Sequence, residues 1–209
     1  NEFFKILNST NPYFVINIMK KIGILDILFE KNVETKFFKK LLLIEKKNSM
    51  TTNQTLRFVS LAPNANKNHL SELKMFNFSK KDKKKLLLLT NQEFKIDNKM
   101  KNNDIKRILY SIDKKLFIDL AVLSWVLSAN KTLNKDWKYI ISQISKLNSP
   151  IFPLKALDIL SFGLKEGPII GEIFSEIEKE WINSNFKLNK EELLQKSKAI
   201  IDTKVHNIS

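Results

Sequence analysis

Apolar residues recur at every third or fourth position over most of the chain, which is the spacing of amphipathic α-helices. Capping residues, prolines and glycines separate the periodic segments. The pattern predicts helical segments at 2–7, 12–22, 33–47, 80–90, 105–129 and 135–147, with shorter apolar elements at 24–29 and 54–62.

The helix that follows Asn11 has recognisable ends. Asn11 is a capping residue, Pro12 suits the first helical position, and Gly23 suits the residue just after the last turn. The predicted core face of this helix consists of three apolar residues one turn apart: Phe14, Ile18 and Ile22.

Later boundaries follow the same rules. Ser79 is predicted to cap the helix at 80–90, and Asp104 is predicted to cap a long apolar helix or helix pair that reaches Ala129. The polar stretch 91–103 between them is expected to be a loop. The three tryptophans lie at helical spacing among apolar residues and are expected in the core: Trp125, Trp137 and Trp181.

Composition supports an all-α fold. Only four glycines and five prolines occur in 209 residues, too few for the many turns of a β-sandwich or barrel. We predict two parts, a helical body of residues 1–149 and a smaller helical tail of residues 150–209. Because the chain begins with Asn1 rather than methionine, we expect it to be a piece of a longer protein or a trimmed product.

Several kinds of chemistry are absent from the sequence. The chain has no cysteine and only two histidines, which argues against disulfides and zinc sites. It has no phosphate-binding loop, nucleophile elbow or paired metal-binding carboxylates, so we predict no catalytic residue and no metal ligand. Without a signal peptide or a membrane span, a cytoplasmic protein with no membrane partner is expected. One carboxylate stripe is interpreted as a solvated helix face: Glu172, Glu176 and Glu180.

The formal charge of +14 indicates a polyanionic partner. A second explanation stays open, because lysine, asparagine and isoleucine together are also what A/T-rich codons produce. Residues 150–209 hold eight basic and nine acidic residues, so the excess positive charge lies in residues 1–149. One cluster is dense, and it is either a nucleic-acid contact or ordinary solvated helix surface: Lys80, Lys81, Lys83, Lys84 and Lys85.

Three of the four glycines fall between residues 163 and 171. Gly163 is predicted to end a short helix at 154–162, and Gly167 precedes Pro168 at the start of the next helix. Gly171 lies one turn inside that helix, where glycine costs about 1 kcal/mol relative to alanine. Two explanations are open for Gly171: close packing of a neighbouring helix, or close approach of a phosphate to the helix N-terminus.

Residues 149–194 resemble the C-terminal end of bacterial class II tRNA nucleotidyltransferases (CCA-adding enzymes) and of the related poly(A) polymerases. The resemblance depends on a spaced set of unusual residues over about 45 positions: Pro150, Phe152, Pro153, Asp158, Ile159, Leu160, Gly163, Gly167, Pro168, Gly171, Glu178, Trp181, Glu192, Leu193 and Leu194. The first 29 residues are similar to the segment that follows the neck in that family, and the middle of the chain fits its body region in pattern.

The resemblance implies that this chain lacks the α/β catalytic head. Mg²⁺ and ATP or CTP would bind only at that head, so the chain would bind no cofactor and would be inactive alone. The body and tail would hold tRNA or another RNA for CCA addition or polyadenylation, and a separate catalytic-head polypeptide is a candidate partner. The RNA-binding residues that we predict are Lys155, Lys165, Gly167, Gly171, Lys80, Lys81 and Lys84.

Two other interpretations stay open. The chain is alternatively a non-catalytic helical protein-interaction domain, or the remnant of an enzyme gene without RNA specificity. A DNA-binding helix-turn-helix is weaker, because the helix at 135–147 has no partner helix across a short turn.

Overall fold

A computed structural model describes residues 2–30, 33–63, 70, 73–91, 93–164 and 167–206. The chain is 67% helix, and the described residues contain no strand, which confirms the predicted all-α class. Twelve α-helices have described bounds: α1 Glu2–Asn8, α2 Pro12–Lys21, α3 Ile24–Leu28, α4 Thr35–Lys47, α5 Gln54–Val59, α6 Lys80–Thr90, α7 Asn102–Ser111, α8 Lys114–Leu127, α9 Lys135–Lys146, α10 Ala156–Leu160, α11 Pro168–Asn183 and α12 Lys190–His206.

The chain divides into two compact units by its contacts. Unit 1 comprises Asn1–Asn102 and Ile112–Leu147, and unit 2 comprises Asn103–Ser111 and Asn148–Ser209. Most of α7 therefore groups with the C-terminal residues, although the sequence places this helix within the stretch assigned to the body.

Unit 1 is built around aromatic side chains. The Phe58 ring lies 5.1 Å from that of Phe29 and 4.9 Å from that of Phe76. Helix α8 is buried on almost all sides, and its Trp125 stacks on Trp137 of α9 at 6.4 Å between ring centres. Both indoles are buried, as the sequence predicted.

A buried ion pair fixes the first helices of unit 1. Arg57 of α5 donates two hydrogen bonds to one carboxylate oxygen of Glu45 in α4, at 2.9 Å from Nε and 2.7 Å from Nη2. The Nη1 group of Arg57 also donates to the backbone carbonyl of Leu7 in α1. Both charged residues are buried, so one guanidinium connects three helices.

The predicted core face of α2 is wrong. Its three residues are exposed, Phe14 at 63%, Ile18 at 42% and Ile22 at 62%, whereas Pro12 and Ile16 are buried. The helix is apolar on more than one side, so the period alone does not choose the buried side. The predicted end at Gly23 is confirmed, since this residue has a left-handed φ of 81° directly after the last turn.

Two predicted caps are also corrected. Asn11 makes no side-chain hydrogen bond at the start of α2. Asp104 lies inside α7 rather than before it, and the cap of the following helix is Asp113, whose Oδ1 accepts from the backbone N–H groups of Lys115 and Leu116. The long apolar stretch is therefore a helix pair. Ser79 does cap α6, accepting from the N–H of Asp82 at 3.1 Å.

Unit 2 packs around the buried Trp181 of α11. The rings of Phe186, Phe152 and Tyr110 lie 4.9, 5.2 and 5.4 Å from it. Tyr110 belongs to α7 and also donates a short hydrogen bond to Glu178 of α11. This aromatic contact explains why α7 groups with the C-terminal residues.

Candidate nucleic-acid interface

Asp158 organises the start of α10. One of its carboxylate oxygens accepts from the backbone N–H of Lys155 at 2.7 Å, and the other accepts from the Lys190 ammonium of α12 at 2.6 Å. The hydrogen bond from Lys190, followed by that from the Lys155 backbone, holds the pKa of Asp158 below its usual value. Asp158, one of the residues on which the family resemblance depends, therefore has a structural role: it joins the start of α10 to α12.

Other signature residues also have internal roles. Gly163 has a φ of 85°, a left-handed conformation that side-chain-bearing residues adopt at a cost of about 1–2 kcal/mol. Glu178 accepts a hydrogen bond from Tyr110 of α7, and burial together with this hydrogen bond raises the pKa of the Tyr110 hydroxyl. Glu192 accepts from the N–H of Asn189, whose side chain accepts in return from the N–H of Glu192, a reciprocal cap at the start of α12.

Gly167 and Gly171 have no such internal role. Gly167 is in extended backbone at φ 168°, which any residue adopts, and Gly171 lies in the first turns of α11. Both residues are exposed. A Cβ built on either one meets no described atom within 4 Å. Close packing within the described chain therefore does not explain these glycines.

The two glycines leave one side of the first turn of α11 without side chains, because residues four apart lie above one another on a helix. Pro168 has no N–H, and the N–H of Ile170 bonds to the Gly167 carbonyl at 3.1 Å. The N–H of Ile169 is left without an intrahelical acceptor, as is usual in a first turn. No described atom lies within 4 Å of a Cβ at either glycine, so the described residues leave room for a ligand beside Gly167 and Gly171.

The predicted basic residues around these glycines differ in status. The Lys155 side chain is exposed, whereas Lys165 lies outside the described residues. Sequence reasoning missed Leu157, which is 73% exposed on α10, two residues after Lys155. A leucine in an apolar helix gives no sequence signal of exposure.

The predicted lysines of α6 lie in unit 1. Lys80, Lys81 and Lys84 are exposed, and none of them pairs with a carboxylate of the described chain. Their neighbour Lys85 differs, because its ammonium lies 2.8 Å from the buried Asp119 carboxylate of α8. The structure therefore separates one lysine used for folding from three that face solvent.

The glutamate stripe of α11 is a solvated face, as interpreted from the sequence. All three residues are exposed, and Glu180 pairs with Lys196 at 3.0 Å. Within the described residues, no three acidic, histidine or cysteine side chains are grouped as a metal site would need. Nor is any described helix long and apolar enough to cross a bilayer.

Comparison with known families adds no assignment. No family model matches the chain, and no curated protein matches it significantly.

Proposed function

We propose that the chain binds RNA, with tRNA as the preferred ligand, and forms the body and tail of a cytoplasmic nucleotidyltransferase of the CCA-adding or poly(A) polymerase class. The active site, with its Mg²⁺ and ATP or CTP, would lie on a head outside this chain or on a separate polypeptide. The chain's task is then to hold the RNA so that its 3′ end reaches that active site.

One observation supports this function above the others: Gly167 and Gly171 are exposed, and a side chain there would meet no described atom. Glycine inside a helix is unfavourable and no described neighbour accounts for Gly171, so a partner that touches the backbone of α11 would give a reason for this residue. An RNA backbone needs such close approach, because its phosphates accept hydrogen bonds from free N–H groups at a helix N-terminus.

The distribution of charge suggests a division of labour. The lysines of α6 in unit 1 supply salt-dependent attraction to phosphates. The tail sequence is nearly neutral, so its contribution is recognition of RNA shape.

A second candidate function is a protein-interaction domain, and the exposed apolar residues of α2 and its C-cap favour it. Phe14 and Ile22 are both more than 60% exposed, and exposed apolar patches commonly mark protein contacts.

Binding across a salt series tests the proposal. The chain is titrated with whole tRNA, with an acceptor-stem hairpin, and with an unstructured RNA of equal length. We expect whole tRNA to bind most tightly and to keep its advantage at moderate salt. Equal binding of all three RNAs that disappears as salt rises would reduce the interaction to nonspecific attraction and favour the protein-interaction domain.

A further inference from the structure

An open cleft of about 820 Å³ lies in unit 1. It is bounded by the connection between α4 and α5, by Lys85 of α6 and by the first three turns of α8. Sites for small molecules usually have volumes of about 300–1,000 Å³, so the cleft has room for one nucleotide-sized ligand.

The carboxylates that line the cleft are already neutralised. Glu45 is bound by Arg57, and Asp119 accepts from the Asn53 amide at 2.7 Å and pairs with Lys85 at 2.8 Å. An ammonium has three donors, so the Lys85 side chain, which is 29% exposed, keeps donors for a further partner.

Along α8, the side chains that line the cleft change from charged to apolar. Lys114, Ile118 and Val122 follow one another at intervals of one turn, and all three line the cleft. Lys115 lies one turn before Asp119, the carboxylate that pairs with Lys85, so both lysines can reach a ligand bound near Asp119. Lys115 is exposed and has no described partner, and Lys114 donates to the carbonyl of Ser145 at 3.0 Å.

The connection between α4 and α5 offers groups of a different kind. Met50 adds apolar surface, and Thr51 and Thr52 add exposed hydroxyl groups. A nucleotide needs this combination: an apolar wall for the face of the base, hydroxyls for its polar edge, and cations at one end for the phosphate.

We propose that this cleft binds one nucleotide, with its base against Ile118, Val122 and Met50 and its phosphate at Lys85 and Lys115. The nucleotide is either free or an unpaired residue of a bound RNA. Only the RNA source depends on the proposed function. In support of that source, exposed Lys81 lies one turn before Lys85 on α6 and can attract the adjoining phosphate.

Methyl NMR of the full chain provides a direct test. The chain has four methionines, and only Met50 lines the cleft. With ¹³C-labelled methionine methyls and the Met50→Leu variant for assignment, adenosine 5′-monophosphate should shift the Met50 signal in a saturable way and leave Met19, Met75 and Met100 in place. Adenosine and inorganic phosphate should each bind at least tenfold more weakly.

A charge reversal adds a quantitative control. Lys115→Glu should weaken binding of the monophosphate about tenfold, as expected for loss of a charge-assisted hydrogen bond. Lys138→Glu, at an exposed lysine of α9 outside the cleft, should leave the affinity unchanged. If no selective Met50 shift occurs, if phosphate alone saturates as tightly as the nucleotide, or if both variants bind alike, the proposal is overturned.

The source of the nucleotide is read from the same signal. An unpaired adenosine hexanucleotide that shifts Met50 at lower concentration than the monophosphate assigns the cleft to RNA, and the reverse order assigns it to a free nucleotide. The two proposals can fail separately, because tRNA preference without a Met50 shift overturns the cleft alone. A Met50 shift without tRNA preference overturns the RNA function alone.

Discussion

Replacing Gly171 by alanine should stabilise the protein and weaken its binding to tRNA. Alanine is favoured over glycine inside a helix by about 0.8–1 kcal/mol. The new methyl group meets no described atom within 4 Å, so no steric cost offsets this gain. We expect a stabilisation of about 0.5–1 kcal/mol, since the position is near the helix start, and a rise in Tm of about 1–4 °C for a chain of this size.

The effect on RNA has the opposite sign. If a phosphate approaches the glycine side of the first turn of α11, the added methyl group takes up the space that the phosphate needs and weakens its hydrogen bonds to the helix N-terminus. Loss of a hydrogen bond to a charged group is worth about 1.5–3 kcal/mol, which corresponds to a weakening of about tenfold or more. Stability is measured by urea denaturation and RNA affinity by fluorescence anisotropy with labelled tRNA.

Two control variants separate the causes. Ser175→Ala, at an exposed position one turn further along α11, should raise stability by a few tenths of a kcal/mol without changing RNA affinity. Gly163→Ala should destabilise the chain by about 1–2 kcal/mol, because its φ is left-handed. If Gly171→Ala stabilises the chain and leaves tRNA affinity unchanged, close approach of RNA at α11 is refuted. If it destabilises the chain, the open space at this position is refuted.

Three further predictions concern the ion pairs and the lysine cluster. Arg57→Met should lower the free energy of unfolding in urea by about 3–5 kcal/mol, because it leaves the buried Glu45 without its partner; a loss below 1 kcal/mol would contradict this. The lowered pKa of Asp158 contributes stability above its unfolded pKa of about 4, and this contribution disappears as the pH falls through its folded value. Asp158→Asn should therefore be less stable than the parent at pH 6. Between pH 6 and pH 3 the free energy of unfolding of this variant should fall by less than that of the parent. Equal decreases would argue against the role given to Lys190. Three exposed lysines of α6 are neutralised together: Lys80→Gln, Lys81→Gln and Lys84→Gln. This change should reduce the slope of log affinity against log salt by about two. It should change the free energy of unfolding by less than about 0.5 kcal/mol. The matched control is the same change at three exposed lysines of α9: Lys135, Lys138 and Lys146. An equal reduction of the slope in this control would show that the α6 lysines contribute no more to RNA binding than other surface lysines do.

Local rules predicted much of the secondary structure. The Ser79 cap, the stop at Gly23 and the start at Pro168 all depend on chemistry within one helical turn, and all three are observed. The failures depend on tertiary contacts. Periodicity did not choose between the sides of α2, and it did not group α7 with unit 2, because that grouping depends on Tyr110 contacting Trp181 and Glu178 far along the chain.

The candidate site was likewise predicted only in part from the sequence. The sequence singled out Gly167 and Gly171 but left packing and phosphate binding as alternatives, because only coordinates show what surrounds a missing side chain. The cleft beside α8 was missed entirely. Its residues come from three separate segments, and Lys114 and Lys115 alone resemble any other pair of lysines in this chain.

The glycines therefore support RNA binding more strongly than the lysines do. A solvent-facing lysine is what A/T-rich codons would leave at a neutral position, so Lys80 or Lys81 alone does not separate function from codon bias. Glycine codons begin with two guanines, and the same bias acts against them. Yet three of the four glycines in this chain occur within nine residues. The fold uses Gly163 for its left-handed backbone, whereas a Cβ at Gly167 or Gly171 would meet no described atom within 4 Å, so we propose that a partner touching the backbone of α11 is the reason for these two.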